Sequence, residues 1–154
     1  MIVDKLLSPA IRRALADFTV ATTTLVPPGN GQSGVIDLGN DRNIGLLSTP
    51  YGPGWEINVR GATSGGAATL SLILVTSATL ALGSPTTLFT VPVTTLANLA
   101  KFDLFVPVPE TNAVQRFIAW RAIVGAAVFT GGTLSVEYVA NMRNWRAYPA
   151  QGNR

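Results

Sequence analysis

Hydrophobic and polar residues alternate with a period of two along much of the chain after residue 34. Residues 55–60 alternate strictly, and residues 69–76 keep one leucine-lined face while the other face turns apolar at Ile73 and Val75. The first pattern is typical of a half-buried strand, and the second of a central strand. Further strands are predicted at 35–38, 86–91, 102–106, 115–129 and 133–139. Between them lie many of the 15 glycines and 10 prolines, which predicts an all-β sandwich or barrel.

The last two predicted strands flank Thr130-Gly131-Gly132, a strong hairpin signal. With a two-residue turn at Gly131-Gly132, we expect Leu134, Val136 and Tyr138 on the core face, and a one-residue slip would exchange the two faces. In either register the strand over 117–128 is apolar on both sides. The second sheet or another subunit must therefore cover one of these two sides. The side that we expect to lie opposite the core carries three candidate contacts with other chains: Ile118, Trp120 and Val124.

The first thirty residues differ from the rest. Ser8-Pro9 suits a helix start, and Ile11, Leu15 and Phe18 are spaced for one side of a short helix. We therefore expect a partly extended N-terminal arm with a short helix over residues 1–33, or alternatively a helix that caps the end of the sandwich. The predicted fold is all-β and single-domain: an antiparallel jelly-roll or β-sandwich over 34–141, followed by a tail over 142–154.

The composition removes most routes to chemistry. The chain of 154 residues has no histidine and no cysteine, and 12% of its residues are charged. Groups that titrate near neutrality and thiolates that act as nucleophiles or metal ligands are therefore absent. The eight carboxylates are scattered along the predicted strands, without the spacing of a catalytic pair. We expect a protein that is not an enzyme, with no cofactor and no metal.

Charge and hydropathy also limit the partners. The net charge of +3 is dispersed, whereas nucleic-acid binding leaves a dense basic patch. The most apolar stretch, 117–129, is thirteen residues long and contains Arg121, while a membrane helix needs about 20. The N-terminus lacks the apolar core of a signal peptide. We expect a soluble protein made in the cytoplasm, while the mean hydropathy of +0.35 suggests that part of its surface is hidden against other chains.

Two basic segments are further candidates for contacts. The tail combines arginine with aromatic residues and contains no acidic residue, a mixture that favours protein interfaces and also stacks on bases. A final strand with a disordered end is the plain alternative. Arg12 and Arg13 would either anchor an arm to an acidic neighbour or be solvated. The candidate contacts of the tail are Arg143, Trp145, Arg146 and Tyr148.

The order and spacing of several short segments resemble a known family. The segments are 35–39, 55–60, 70–77, 84–90, 102–107, 115–120, 123–125 and 132–136. In this order they resemble the small capsid cement (decoration) proteins of tailed bacteriophages, of the Bordetella-phage type with a jelly-roll β-sandwich. The long N-terminal segment and the arginine- and tryptophan-containing tail depart from that pattern.

The resemblance implies a non-enzymatic virion protein that binds the outer surface of an icosahedral capsid and bridges neighbouring subunits. Its partners would be the major capsid protein and further copies of itself, as a homotrimer or a dimer, with no nucleic acid and no membrane. It would be present in the host cytoplasm during assembly. A β-sandwich binding module of a virion appendage, for carbohydrate or a receptor, is the alternative, with Trp55, Trp120 and Trp145 as candidate binding aromatics.

Overall fold

A computed structural model of the chain describes residues 10–25, 34–38, 54–99, 101–107 and 114–139. The elements in these ranges are mostly strands. In chain order they are β1 (Ala10–Ala14), a 3-10 helix (Leu15–Asp17), β2 (Thr22–Thr24), β3 (Ile36–Asp37), β4 (Gly54–Ser64), β5 (Thr69–Ser77), β6 (Thr86–Thr95), α1 (Leu96–Leu99), β7 (Lys101–Pro107), β8 (Phe117–Gly125) and β9 (Phe129–Val139).

The strands form two antiparallel sheets that pack face to face. The first sheet has the order β1-β9-β4-β7, and the second has the order β2-β8-β5-β6, with the short β3 also paired to β8. With β3 set aside, the first strand pairs with the last, the second with the second-last, and so on inward to β5 and β6. This nested pairing is the strand order of a jelly roll, and the prediction of an all-β sandwich is confirmed.

The core lies between the two sheets. In β4 the predicted alternation is confirmed, because Trp55, Ile57 and Val59 are all fully buried. The leucines of β5 face the same core from the second sheet, and β5 lies between β8 and β6, as expected of a central strand. The rings of Trp55 and Trp120 meet edge to face across the core, with their centroids 5.7 Å apart.

The N-terminal prediction is wrong for residues 10–25. The short helix expected around Ile11 is instead β1, which pairs with β9, and only a single 3-10 turn follows. Leu15, Phe18 and Leu25 are buried in the core, so this segment belongs to the sandwich and not to an arm. The register of β1 shifts at Arg12, which has a φ of +48°. This bulge interrupts the period-two alternation, and the apolar spacing that results resembles that of a helix.

The prediction of a hairpin at Gly131-Gly132 is also wrong. The chain turns earlier, at 126–128, where Ala126 has a φ of +63°. The two strands then enter different sheets, so β8 and β9 are not paired with each other. Gly131 lies within β9 and pairs with Thr63 of β4, at a point where the register of the two strands shifts. The glycine pair therefore marks a bulge between strands, a second role that glycine has in sheets.

Candidate interaction surface

The three apolar residues predicted to contact other chains lie in the core of the protein. Ile118, Trp120 and Val124 have exposed fractions of 1%, 1% and 3%. The side of β8 that the sequence predicts to face away from the core is the side that faces it. The orientation of β8 differs from the prediction because the chain turns at 126–128 and β8 lies in the second sheet. The first sheet covers this side of β8, so of the two expected covers, the other sheet or another subunit, the structure has the other sheet.

The two arginines at the start of the chain lie on β1. The main-chain N–H of Arg12 donates a hydrogen bond to Ser135 Oγ at 2.9 Å, and its side chain is exposed. The guanidinium of Arg13 lies over the Phe18 ring, 4.9 Å from its centroid, where a cation–π contact holds it. The tail candidates Arg143, Trp145, Arg146 and Tyr148 lie outside the described residues.

The outer face of the first sheet is charged. Glu56 of β4 lies directly opposite Glu137 of β9, and Arg60 Nη2 donates to Asp103 Oδ1 at 2.6 Å. Partial burial raises the pKa of Glu56, and the nearby carboxylates of Glu137 and Asp103 raise it further, while Arg60 opposes them. We call this side the charged face, defined by Glu56, Asn58, Arg60, Asp103 and Glu137.

The second sheet has the opposite character. Strands β2, β5, β6 and β8 carry one charged residue among them, Arg121. Their outward side chains beside it include threonine, serine, alanine, isoleucine, valine and phenylalanine. Ile73 lies opposite Arg121 in the sheet, and Ser71 lies opposite Ile123. Ile73 and Ile123 are half-buried, so an apolar side faces outward at the centre of this sheet.

Part of this outer face is covered by the connection between β5 and β6. Leu82 in this connection is 5% exposed and packs on a small apolar cluster formed with Val75, Phe117 and Ala119. Leu82 has a φ of +51°, an uncommon conformation for a leucine, and its carbonyl accepts a long hydrogen bond of 3.4 Å from Arg121 Nη2. The apolar outer side of β8 is therefore covered at one end of the strand by the chain itself.

Four connections between the sheets meet at one end of the sandwich. Among the described residues they are 15–21, 65–68, 96–99 and 126–128. Val124 N–H donates to the Ala21 carbonyl at 3.2 Å, and Ser64 Oγ donates to the Val128 carbonyl at 2.7 Å. Asp17 is the one charged residue in these four connections. Val20 and Val128 at this end are 53% and 50% exposed.

The outer face of the second sheet and this end together form what we call the low-charge surface. It is continuous, because Thr22 and Thr24 of β2 pair with Ile123 and Arg121 of β8, and the chain before β2 leads directly to Val20 and Asp17. The charges on its outer face are Arg121 and the Asp37–Arg116 ion pair, because Asp37 pairs with Phe117 and the Arg116 guanidinium lies 5.0 Å from the centroid of the Phe117 ring. Asp17 is the charge at the end, on the 3-10 helix that contacts β9 of the first sheet. Such depletion of charge is typical of the buried centre of a protein interface.

The edge of the second sheet carries features that oppose pairing with a further strand. β6 lies at this edge. Its pairing with β5 shifts register twice, once around Pro92 and Val93 and once around Leu88. A proline and bulges on an edge strand block the regular addition of another strand. Regular addition of a further strand at β6 is therefore disfavoured.

The described residues contain no group of three or more metal-ligating side chains. Asp37 is held by Arg116, whose Nε and Nη2 each donate to one carboxylate oxygen at 2.8 Å. Among the described elements, no helix is long and apolar enough to cross a membrane.

The sequence contains a signal for the low-charge surface that the strand patterns did not reveal. Residues 61–100 include no charged side chain at all, and they supply β5, β6, α1 and the connection that covers Phe117. Arg121 has no comparable sequence signal, because only the fold places it on this outer face. No protein-family model matches the chain, and no curated protein matches it either.

Proposed function

We propose that this protein is a non-enzymatic structural protein of a tailed-phage virion, which decorates the outer surface of an icosahedral capsid and cements neighbouring capsid subunits. The observation that carries the proposal is the division of the sandwich into a charged face and a low-charge surface. A protein in a capsid layer keeps one side in water and packs another against its neighbours, and this division suits that position.

The strand order supports the same proposal. Jelly rolls are common in viral capsid proteins and also occur in lectin domains, so the fold alone does not assign the function. The order of the sequence segments resembles that of the phage cement proteins. A role based on many repeated contacts also needs no titrating active-site group, because each bound copy raises the effective concentration for the next contact on the lattice.

The described residues give less support to the alternative, a carbohydrate-binding or receptor-binding module. Sugar recognition of that kind uses exposed aromatic rings, and Trp55 and Trp120 are 0% and 1% exposed. Trp145, the third candidate, lies outside the described residues.

The proposal is tested on virions purified from a host that carries the gene. We expect the chain at a fixed stoichiometric ratio to the major capsid protein by quantitative mass spectrometry, and as density on the outside of the shell in a particle reconstruction. A chain that is absent from purified particles, or found only in a tail appendage, contradicts the cement role.

The same particles report how the chain attaches. β1 begins and β9 ends at the end of the sandwich opposite the four connections, because Ala10 pairs with Val136 and Gly54 pairs with Val139. Variants that lack 1–9 or 142–154 keep all described strands and are mixed with particles stripped of the protein. We expect the variant without 142–154, which loses Arg143 and Arg146, to co-sediment with the particles less than the full chain does.

A further inference from the structure

Residues 78–85 connect β5 to β6, and we call this segment the strap. Leu82 is 5% exposed, whereas six of the other seven residues of the strap are exposed. The Leu82 N–H donates to the Thr79 carbonyl at 3.1 Å, within the strap itself. Among the described residues, one hydrogen bond joins the strap to β8, from Arg121 Nη2 to the Leu82 carbonyl, and it is long at 3.4 Å. The strap is therefore held to the second sheet chiefly by one side chain.

The Leu82 side chain covers apolar residues that face away from the first sheet. Val75 of β5 and Ala119 of β8 lie opposite each other in the second sheet, and each is 1% exposed. With Leu82 and Phe117 they form a cluster separate from the main core. The first sheet packs on the other face of β8, so the burial of Val75 and Ala119 depends on Leu82 and the side chains beside it. Opening of the strap would expose them without separating the two sheets.

The backbone of the strap is strained at the same residue. The φ of Leu82 is +51°, in the left-handed region that is unfavourable for a side chain of this type. Gly83, the next residue, does not adopt this conformation, although a glycine would do so without strain. Such strain persists only while the surrounding contacts hold it in place. Release of the Leu82 side chain would also release this strain.

We propose that the strap opens and closes while the sandwich stays folded, and that Leu82 and its carbonyl contact with Arg121 hold the closed state. Burial of one leucine side chain favours closing, while the backbone strain and the lost freedom of the exposed residues oppose it. Segments with few buried apolar contacts are those that open locally in folded proteins. The strap thus changes this part of the outer face between a covered state and an apolar one. The inference does not depend on the virion assignment.

The test is thiol labelling of the full-length chain under native conditions. The chain has no cysteine, so one introduced thiol reports access to one position. Ala119→Cys places the thiol beneath the strap. Ala122→Cys is the matched control, because Ala122 is a 0% exposed alanine of the same strand and belongs to the main core. We expect a soluble maleimide to label Ala119→Cys at least about 100-fold faster than Ala122→Cys, whose labelling requires the core to open.

The dependence of labelling on denaturant separates strap opening from global unfolding. Low concentrations of urea should barely change the labelling rate of Ala119→Cys, because opening of the strap exposes little surface. The labelling rate of Ala122→Cys should rise steeply, with the slope of global unfolding. Leu82→Ala added to Ala119→Cys should speed labelling by about tenfold or more, since it removes the buried side chain that favours closing. Arg121→Met should act in the same direction with a smaller effect, because it removes one long hydrogen bond.

Circular dichroism and thermal unfolding report whether each variant keeps the fold. A second pair on β5 repeats the comparison if a variant of β8 does not fold: Val75→Cys beneath the strap and Leu74→Cys in the main core. Equal labelling rates within a pair, with the urea dependence of global unfolding, overturn the inference. Fast labelling of Ala119→Cys that Leu82→Ala does not increase overturns it as well, because access would then not depend on the strap.

Discussion

At the scale of single residues, the side of the strand on which a residue lies decides whether its side chain enters the core. The side chains of Trp55 and Glu56 are neighbours in β4, yet one is fully buried in the core and the other lies on the charged face. Trp120 is buried with its Nε1 unpaired among the described residues, which is a cost of about 1–3 kcal/mol for such a donor. Its edge-to-face contact with Trp55 offsets part of that cost.

Glu56 should make the stability of the protein fall as the pH rises. Burial, and then Glu137 and Asp103, raise its pKa in the folded state above the unfolded value of 4.5. The folded protein therefore binds a proton more tightly, and this stabilisation is lost as the pH rises from 4.5 through the folded-state pKa. We expect Glu56→Gln to stabilise the protein at pH 7, by about 1 kcal/mol or less.

Thermal unfolding of Glu56→Gln across the pH range is the measurement. Well below pH 4.5 the variant and the wild-type chain should have similar stability, since the carboxyl is neutral in both states. Glu137→Gln is the control, because it removes the like charge opposite Glu56 and should give a smaller gain. A loss of stability in Glu56→Gln at pH 7 would mean that the ionised carboxylate is stabilised in the fold.

At the scale of elements, the contact between β4 and β9 depends on a glycine bulge. Gly132 has a φ of +101°, and a Cβ placed there would lie 2.7 Å from Ala62 Cα and 2.9 Å from the Gly61 carbonyl oxygen. The neighbours are backbone atoms, so they cannot move aside as a flexible side chain can. The turn residue expected from the sequence is thus a position where two strands approach closely.

We expect Gly132→Ala to destabilise the protein by about 1–3 kcal/mol through its backbone conformation alone, with a further loss from the clash with Ala62. Gly65→Ala is the matched control, since its added Cβ meets nothing within 4 Å, and it should be neutral or slightly stabilising. Chemical denaturation of both variants provides the comparison. Equal stability of the two would contradict the bulge at Gly132.

At the scale of the whole molecule, the nested strand order makes the start of the chain part of the sandwich. β1 lies beside β9 and β2 lies beside β8, so residues far apart in sequence share a sheet. Leu15, Phe18 and Leu25 contribute fully buried side chains from this segment. The same topology places the strands that carry few charged residues in the second sheet, and it places their connections at one end of the sandwich.

Deletion of residues 1–25 should therefore abolish the cooperative thermal transition. It removes two strands, the buried Ala10 and three large buried side chains. Each of these three stabilises the fold by about 1.5–3 kcal/mol, while a typical domain is stable by only about 5–15 kcal/mol. Deletion of residues 1–9 removes none of the described strands and should keep the transition. A cooperative transition in the longer deletion, at an unchanged temperature, would show that β1 and β2 are dispensable.

The sequence by itself determined the fold class and most of the strands. The alternation over 55–60 identified β4 and its buried face, and the two apolar faces of 69–76 identified the central strand β5, because period-two burial is a local property of the backbone. It did not determine β1, whose bulge at Arg12 hides the alternation, or the true turn at 126–128, which lacks glycine and proline.

The tertiary structure alone decided which side of β8 faces the core and which residues share a surface. The side of β8 with Trp120 faces inward because the first sheet packs against it. In sequence, both sides of this strand are apolar enough to face the core. Thr24 and Arg121 are brought side by side only by the antiparallel pairing of β2 with β8. Local sequence patterns carry no information about such long-range pairing.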